Sequence, residues 1–230
     1  MHKYKHLFFD LDRTLWDFES NSIETFRDIF GRHDLARVFP DFEVFIKTYK
    51  RHNEILWAKY RTGEIKKEQL RNDRFLLTLK EFGVDDMNLA VKMGDDYITI
   101  SPTKRRVFPG THEILNYLKD RYRLYIITNG FSEVQSVKLK NCDLEKYFDG
   151  VVTSEMAGVQ KPHREIFHYA VTRVNAKKDS CLMIGDDPDT DIIGAKNFGM
   201  DQVYFNSMNK GCSVEPTYAI NSLLELKDIL

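Results

Sequence analysis

The stretch that most constrains this chain is Leu7-Phe8-Phe9-Asp10-Leu11-Asp12-Arg13-Thr14, an apolar run that ends abruptly in a pair of acids and a hydroxyl. Short apolar runs bounded by polar residues suit a strand buried on both faces of a parallel sheet. Ligands in such sheets sit beyond the carboxyl ends of the strands, where Asp10 and Asp12 would lie. Two carboxylates there repel each other unless a cation intervenes. Mg2+, which takes oxygen ligands and keeps some water, answers that requirement. A strand end followed by an Asx-type turn is the plain alternative.

After this strand the pattern turns helical. Asn21 and Glu24 have capping-box spacing, with Ile23, Phe26 and Phe30 as an apolar stripe. Phe42, Phe45, Ile46, Tyr49, Leu56 and Tyr60 form a second stripe, between Pro40 and Gly63. Leu70, Leu77 and Phe82 mark a third helix, and Met87, Ala90, Met93 and Tyr97 a fourth. Consecutive helices with no strand between them make a bundle-like unit, expected over residues 17–102. From Pro102 the chain alternates strand and helix, with strands expected at Tyr122–Thr128, Gly150–Thr153, Cys181–Gly185 and Val203–Phe205, and an edge at Tyr218–Ile220. The fold class is therefore α/β: a doubly wound, Rossmann-like parallel sheet over 1–16 and 103–230, with a helical cap inserted after the first strand.

Composition removes several classes of function. The chain has 230 residues and a formal net charge of −1, and its densest cationic run is Lys104-Arg105-Arg106. That is too little for a nucleic-acid footprint, so no nucleic-acid polymer is expected as a partner. No apolar stretch approaches the ~18 residues that span a membrane. Cys142, Cys181 and Cys212 are odd in number and lack metal-like spacing, and read as free thiols in a reducing compartment. The first residues run straight into the strand pattern without a signal-peptide profile, and the expected localisation is cytoplasmic.

Three later stretches complete the first. Thr128-Asn129-Gly130 puts a hydroxyl and turn N–H groups at a strand end, a combination that can hold a phosphate-like anion. Lys161 precedes Pro162, which suits the first position of a helix; positive charge there opposes the helix dipole and argues against a purely structural role. Gly185-Asp186-Asp187-Pro188-Asp189-Thr190-Asp191 gathers like charge just after an apolar strand, and a cation would offset it. Together these supply what a dianionic phosphate needs: charge neutralisation, orienting N–H and O–H groups, and a carboxylate to attack in line. No Gly-x-x-x-x-Gly-Lys, Gly-x-Gly-x-x-Gly or Gly-x-Ser-x-Gly motif competes.

In order and spacing, Asp10-Leu11-Asp12-Arg13-Thr14, Thr128-Asn129, Lys161-Pro162 and Gly185-Asp186-Asp187 with Asp191 resemble the motifs of the haloacid dehalogenase superfamily of phosphohydrolases. The resemblance implies Asp10 as nucleophile, forming an aspartyl-phosphate, and Asp12 as general acid and then base. It implies Mg2+ held by Asp10, the Asp12 carbonyl and Asp186, phosphoryl binding by Thr128, Asn129 and Lys161, and support from Thr14, Asp187 and Asp191. An acid at position 12 is similar to the phosphatases and unlike the metal-free dehalogenase branch. Arg13 stands where glycine is common in the family, which bears on the local turn. Thr14-Leu15-Trp16-Asp17-Phe18 is similar to the pyrimidine-nucleotidase branch. It makes a small phosphorylated metabolite, a nucleotide first, the expected partner, with Trp16 and Phe18 as candidates to stack on the base. A sugar-phosphate or phosphoglycolate-type phosphatase and a phosphosugar mutase are the near alternatives. A phospho-accepting receiver module is the alternative from another class.

Overall fold

The computed structural model describes residues 3–208, 211, 212 and 214–230. The chain forms two compact units: the residues through Glu19 together with Arg105–Leu230, and Ser20–Lys104. The divisions fall two or three residues later than the sequence pattern places them. Arg13 binds Glu19 through its Nε (3.1 Å) and Nη2 (3.0 Å), which ties the start of the first helix to the sheet unit.

In the first unit a six-stranded sheet has the order β3-β2-β1-β4-β5-β6, and every neighbouring pair is parallel. Its strands are β1 (His6–Phe9), β2 (Arg123–Thr128), β3 (Gly150–Thr153), β4 (Cys181–Gly185), β5 (Asp201–Phe205) and β6 (Tyr218–Ile220). The strand period of two sends alternate side chains to opposite faces. Leu7, Phe9, Leu124, Ile126, Leu182 and Ile184 share one core with Ile114, Leu115 and Leu118 of the helix Thr111–Lys119. Phe8, Ile127 and Met183 share the other with Ile166 and Phe167 of the helix Arg164–Arg173 and Ala195 of the helix Ile193–Phe198. Burying each large apolar side chain contributes roughly 1.5–3 kcal/mol, so β1, apolar on both faces, is fixed at the centre. Strand order reverses on either side of β1, and its carboxyl end is the switch point where a ligand belongs.

The second unit contains α1 (Phe18–Arg32, which begins in the first), α2 (Phe42–Arg61), α3 (Lys67–Lys80) and α4 (Met87–Ile100). Asp41 and Asp86 cap α2 and α4 by accepting from Val44 N and Leu89 N. Phe26, Phe45, Tyr49, Phe75 and Met93 meet in one core, with Phe26 and Tyr49 ring centres 4.4 Å apart. The start of α1, and one residue of its stripe, differ from the expectation. Asn21 lies inside the helix and is buried, Ile23 is exposed, and Ser22, Thr25, Phe26 and Ile29 form the inward face. Of the expected stripe, Phe26 and Phe30 pack in this core and Ile23 does not, while the helix starts at Phe18 and leaves no cap at Asn21.

The remaining helices flank the sheet: α5 (Thr111–Lys119), α6 (Ser132–Asn141), α7 (Ser154–Ala157), α8 (Arg164–Arg173), α9 (Ile193–Phe198) and α10 (Leu226–Ile229). Among the described residues no helix is long and apolar enough to cross a membrane.

Candidate active site

Asp10 continues the ladder one step past β1, its N–H donating to Ile184 O at 2.9 Å. Thr128 ends β2 and Gly185 ends β4, so three adjacent strand ends present their loops to one place. There the Lys161 ammonium donates to Asp10 Oδ1 (2.6 Å), Asp191 Oδ1 (2.6 Å) and Ile127 O (2.9 Å), which uses its three protons. Lys161 is 2% exposed, and a lysine this deep is stable as an ion only because two carboxylates face it. Burial alone would lower its pKa, but Asp10 and Asp191 outweigh that and hold it above the ordinary lysine value.

The backbone around the lysine is pinned by Asn129. Lys161 N donates to Asn129 Oδ1 (2.8 Å), and Asn129 Nδ2 donates to Lys161 O (3.0 Å). The helix-start placement expected for Lys161 is not what forms. The helix α8 begins only at Arg164, so the paired carboxylates, not a helix terminus, account for the lysine.

The acid-rich loop is a short π-helical turn, Pro188–Ile192, capped by Asp187, whose side chain accepts from Asp189 N and Thr190 N. Asp187 therefore shapes the loop that delivers Asp191. Asp191 Oδ2 accepts from Asp187 N, and a Cβ at Gly185 would lie 2.3 Å from that same oxygen, so this strand end must be glycine. Thr14 is fully buried, and its Oγ1 lies 3.4 Å from Asp186 Oδ1.

Carboxylate oxygens of Asp10, Asp186 and Asp191 lie within 4.8 Å of one another. Burial, the largest influence, pushes Asp10 up to about 7; Lys161 opposes this, while Asp191 and Asp12 add to it. Burial also raises Asp186 well above the carboxylate range, with the charges of Asp10 and Asp191 adding to it and Arg13 opposing. One lysine does not balance two buried acids and a half-buried third. Hard oxygen donors with uncompensated negative charge fit a divalent cation such as Mg2+. Both oxygens of Asp191 are already engaged, so among these three acids Asp10 and Asp186 would hold it, with the Asp12 carbonyl that the family resemblance adds.

Asp12 is tied by residues that the sequence pattern does not single out. Lys138 Nζ donates to its Oδ1 (2.5 Å) and Gln135 Nε2 to its Oδ2 (2.9 Å). Thr128 Oγ1 accepts from Gly130 N (3.0 Å) and Gln135 Nε2 (2.7 Å). No pattern in the sequence marks Gln135 and Lys138: only the folded helix α6 shows them buried and Val137 39% exposed.

The aromatic candidates are placed otherwise than expected. Trp16 has no exposed surface and belongs to the sheet-unit core, with Lys138 Nζ 4.1 Å from its ring centre. It has no free face for a base. Phe18 meets the Trp16 ring edge-on, and one of its own faces is covered by the Arg13 guanidinium at 4.1 Å.

This sheet topology and charge arrangement define a haloacid dehalogenase-type site, and the model of the haloacid dehalogenase-like hydrolases matches residues 4–199. The chain belongs to that family and is a hydrolase of the phosphatase kind. It is 32% identical to the pyrimidine 5'-nucleotidase YjjG of Escherichia coli (strain K12), over 99% of this chain and 98% of that one. It is 30% identical to the pyrimidine 5'-nucleotidase PynA of Streptococcus pneumoniae, over 99% and 95%. Among solved structures, the putative HAD-hydrolase YfnB of Bacillus subtilis, bound to magnesium, superposes with a TM-score of 0.91 at 30% identity, covering 100% of this chain and 99% of that one.

Proposed function

We propose that the chain is a Mg2+-dependent phosphomonoester hydrolase that works through an aspartyl-phosphate and takes nucleoside 5'-monophosphates, pyrimidines ahead of purines. The observation that carries the reading is the buried bridge from Lys161 to Asp10 and Asp191 at the carboxyl edge of β1, β2 and β4. A lysine fixed against the attacking carboxylate neutralises an incoming phosphoryl dianion and orients the nucleophile.

In the first half-reaction an Asp10 carboxylate oxygen bonds to phosphorus as the bond to the ester oxygen breaks, and Asp12 as a carboxylic acid protonates the departing alkoxide. In the second, the Asp12 carboxylate takes a proton from water, whose oxygen bonds to phosphorus. Inorganic phosphate leaves and Asp10 is restored. Thr128 donates to a phosphoryl oxygen, Lys161 neutralises the phosphoryl charge from beside Asp10, and Asn129 positions Lys161. Mg2+ on Asp10 and Asp186 would supply further charge stabilisation.

The full-length likeness to two pyrimidine 5'-nucleotidases supports the substrate class. Membership of a hydrolase family sets the receiver-module alternative aside. The test is phosphate release from UMP, dTMP, AMP and a hexose phosphate, with Mg2+ and with chelator. Pyrimidine nucleotides should lead and chelator should silence all four. A lead for the hexose phosphate would move the reading to a sugar-phosphate phosphatase. Activity undiminished by chelator would remove the metal.

A further inference from the structure

The helix α6 buries the wrong residues for a helix that only packs. Gln135 and Lys138, one turn apart and so on one face, are 0% and 4% exposed, while Val137 is turned outward. Burying an amide and an ammonium is costly unless partners await them. Here the partners are Asp12 and Thr128. We propose that Gln135 and Lys138 are positioning residues. Together they hold both oxygens of the Asp12 carboxylate for proton transfer, and Gln135 also commits the Thr128 hydroxyl proton to the phosphoryl group. This rests on the phosphatase reading above and extends it to residues outside the four motifs.

Lys138 takes Asp12 Oδ1 and Gln135 takes Oδ2, so the carboxylate is fixed in rotation as well as position. Trp16 lies against the Lys138 ammonium, an aromatic face that favours the cation and limits where it can go. Gln135 Oε1 is buried with no partner among the described residues. Turning the amide over would set that oxygen against the Asp12 carboxylate, so the orientation is dictated by Asp12. Leaving a buried carbonyl unpaired is costly, and a helix packed for stability alone would avoid it.

The second arm runs to Thr128. Its hydroxyl oxygen has two lone pairs, and Gly130 N and Gln135 Nε2 take both. The single O–H proton is left for an anionic oxygen. A Cβ on Gly130 would lie 2.2 Å from Gln135 Nε2, so the turn glycine is what makes room for the amide. One side chain thus sets the geometry of the general acid and of a phosphate-binding hydroxyl.

The test compares Lys138→Met, Lys138→Arg, Gln135→Leu and Gln135→Asn, each alone and with Asp12→Asn, on UMP and p-nitrophenyl phosphate with Mg2+; thermal melting reports folding. Lys138→Met should lower kcat/KM on UMP about 10–100-fold, the scale of a misplaced catalytic group. It should lose less on p-nitrophenyl phosphate, whose leaving group departs without a proton. With Asp12 already Asn, Lys138→Met should cost under about twofold more, because a residue acting through Asp12 has nothing left to position. Lys138→Arg should recover most of the loss, and it keeps the charge if the methionine variant melts. Gln135→Leu should reduce both substrates, weaken inhibition by inorganic phosphate, and keep part of its loss in the Asp12→Asn background through Thr128. Gln135→Asn, with a shorter amide, should fall between. Fully additive losses for Lys138→Met, or equal losses on the two substrates, would make α6 a packing element and overturn the inference. Failure of the unmodified protein to release phosphate from either substrate would instead overturn the phosphatase reading, and the inference with it.

Discussion

Lys161 Nζ stands 2.6 Å from Asp10 Oδ1, and the pair is almost completely removed from water. An ion pair at this depth is a poor source of net stability, but breaking it by removing one partner is costly. Lys161→Met should therefore lower stability by about 3–5 kcal/mol as well as abolish phosphate release. Asp10→Asn keeps the volume and removes the nucleophile but leaves Asp191 paired with Lys161, so it should be inactive with a much smaller shift in melting. Denaturant titration alongside phosphate release separates the two. A Lys161→Met protein as stable as the parent would mean that the bridge does not form.

The raised acids make the metal-free protein sensitive to pH in a specific direction. Asp10 moves from 3.8 to about 7, and Asp186 and Asp191 are displaced the same way, first by burial. Between those two values the folded chain retains a proton that the unfolded chain has released. For Asp10 stability therefore falls as pH rises from about 4 to about 7, with a slope of up to about 1.4 kcal/mol per unit, and Asp186 and Asp191 act in the same direction. Mg2+ binds the ionised form and opposes the loss, more strongly as pH rises. Melting curves across this range, in chelator and in Mg2+, should diverge with increasing pH. Parallel curves would place the cation elsewhere.

Much of this arrangement was legible because the residues concerned have no other reason to be where they are. Acids follow Phe9 directly and Ile184 after one glycine, where the apolar strands stop, and their place just past the strand ends puts them at the sheet's carboxyl edge. What was hidden falls into two kinds. Lys161 looked like a helix-start residue because Pro162 follows it, and no pattern in one dimension shows a lysine meeting carboxylates 151 and 30 residues away. Gln135 and Lys138 were invisible because polar residues on a helix normally face water, and only the folded chain shows Val137 outside and the polar pair inside. The start of α1 was misplaced for a local reason: Asn21 and Glu24 have the spacing of a cap, but the chain is already helical from Phe18.

Arg13 has φ +68°, in the left-handed region, where a non-glycine residue costs about 1–2 kcal/mol. Its guanidinium recovers part of that through Glu19 and the face of Phe18, contacts that are partly exposed and worth about 0–1 kcal/mol as an ion pair. Arg13→Gly relieves the backbone and loses the contacts, so it should lie within about 1 kcal/mol of the parent. Arg13→Ala keeps the strain and loses the contacts, and should be the less stable of the two by about 1 kcal/mol. Equal stabilities would mean that the turn is not held in the left-handed region.

Trp16 separates two accounts of substrate choice. Were its ring a platform for the base, removing it would cost a nucleotide about 1–3 kcal/mol and leave a base-free ester unchanged. The structure gives that ring no exposed face and sets the Lys138 ammonium against it instead. Trp16→Phe should then act through Lys138 and Asp12, on the proton that the leaving oxygen needs, whatever that oxygen carries. UMP and ribose 5-phosphate leave as the same kind of primary alkoxide, so both should lose the same factor in kcat/KM and their ratio should not move. Phenylalanine retains an aromatic face, so the common loss should be modest, and Trp16→Leu, which removes the face, should deepen it for both. A ratio that falls toward the base-free ester in Trp16→Phe would return the indole to the substrate and contradict its burial.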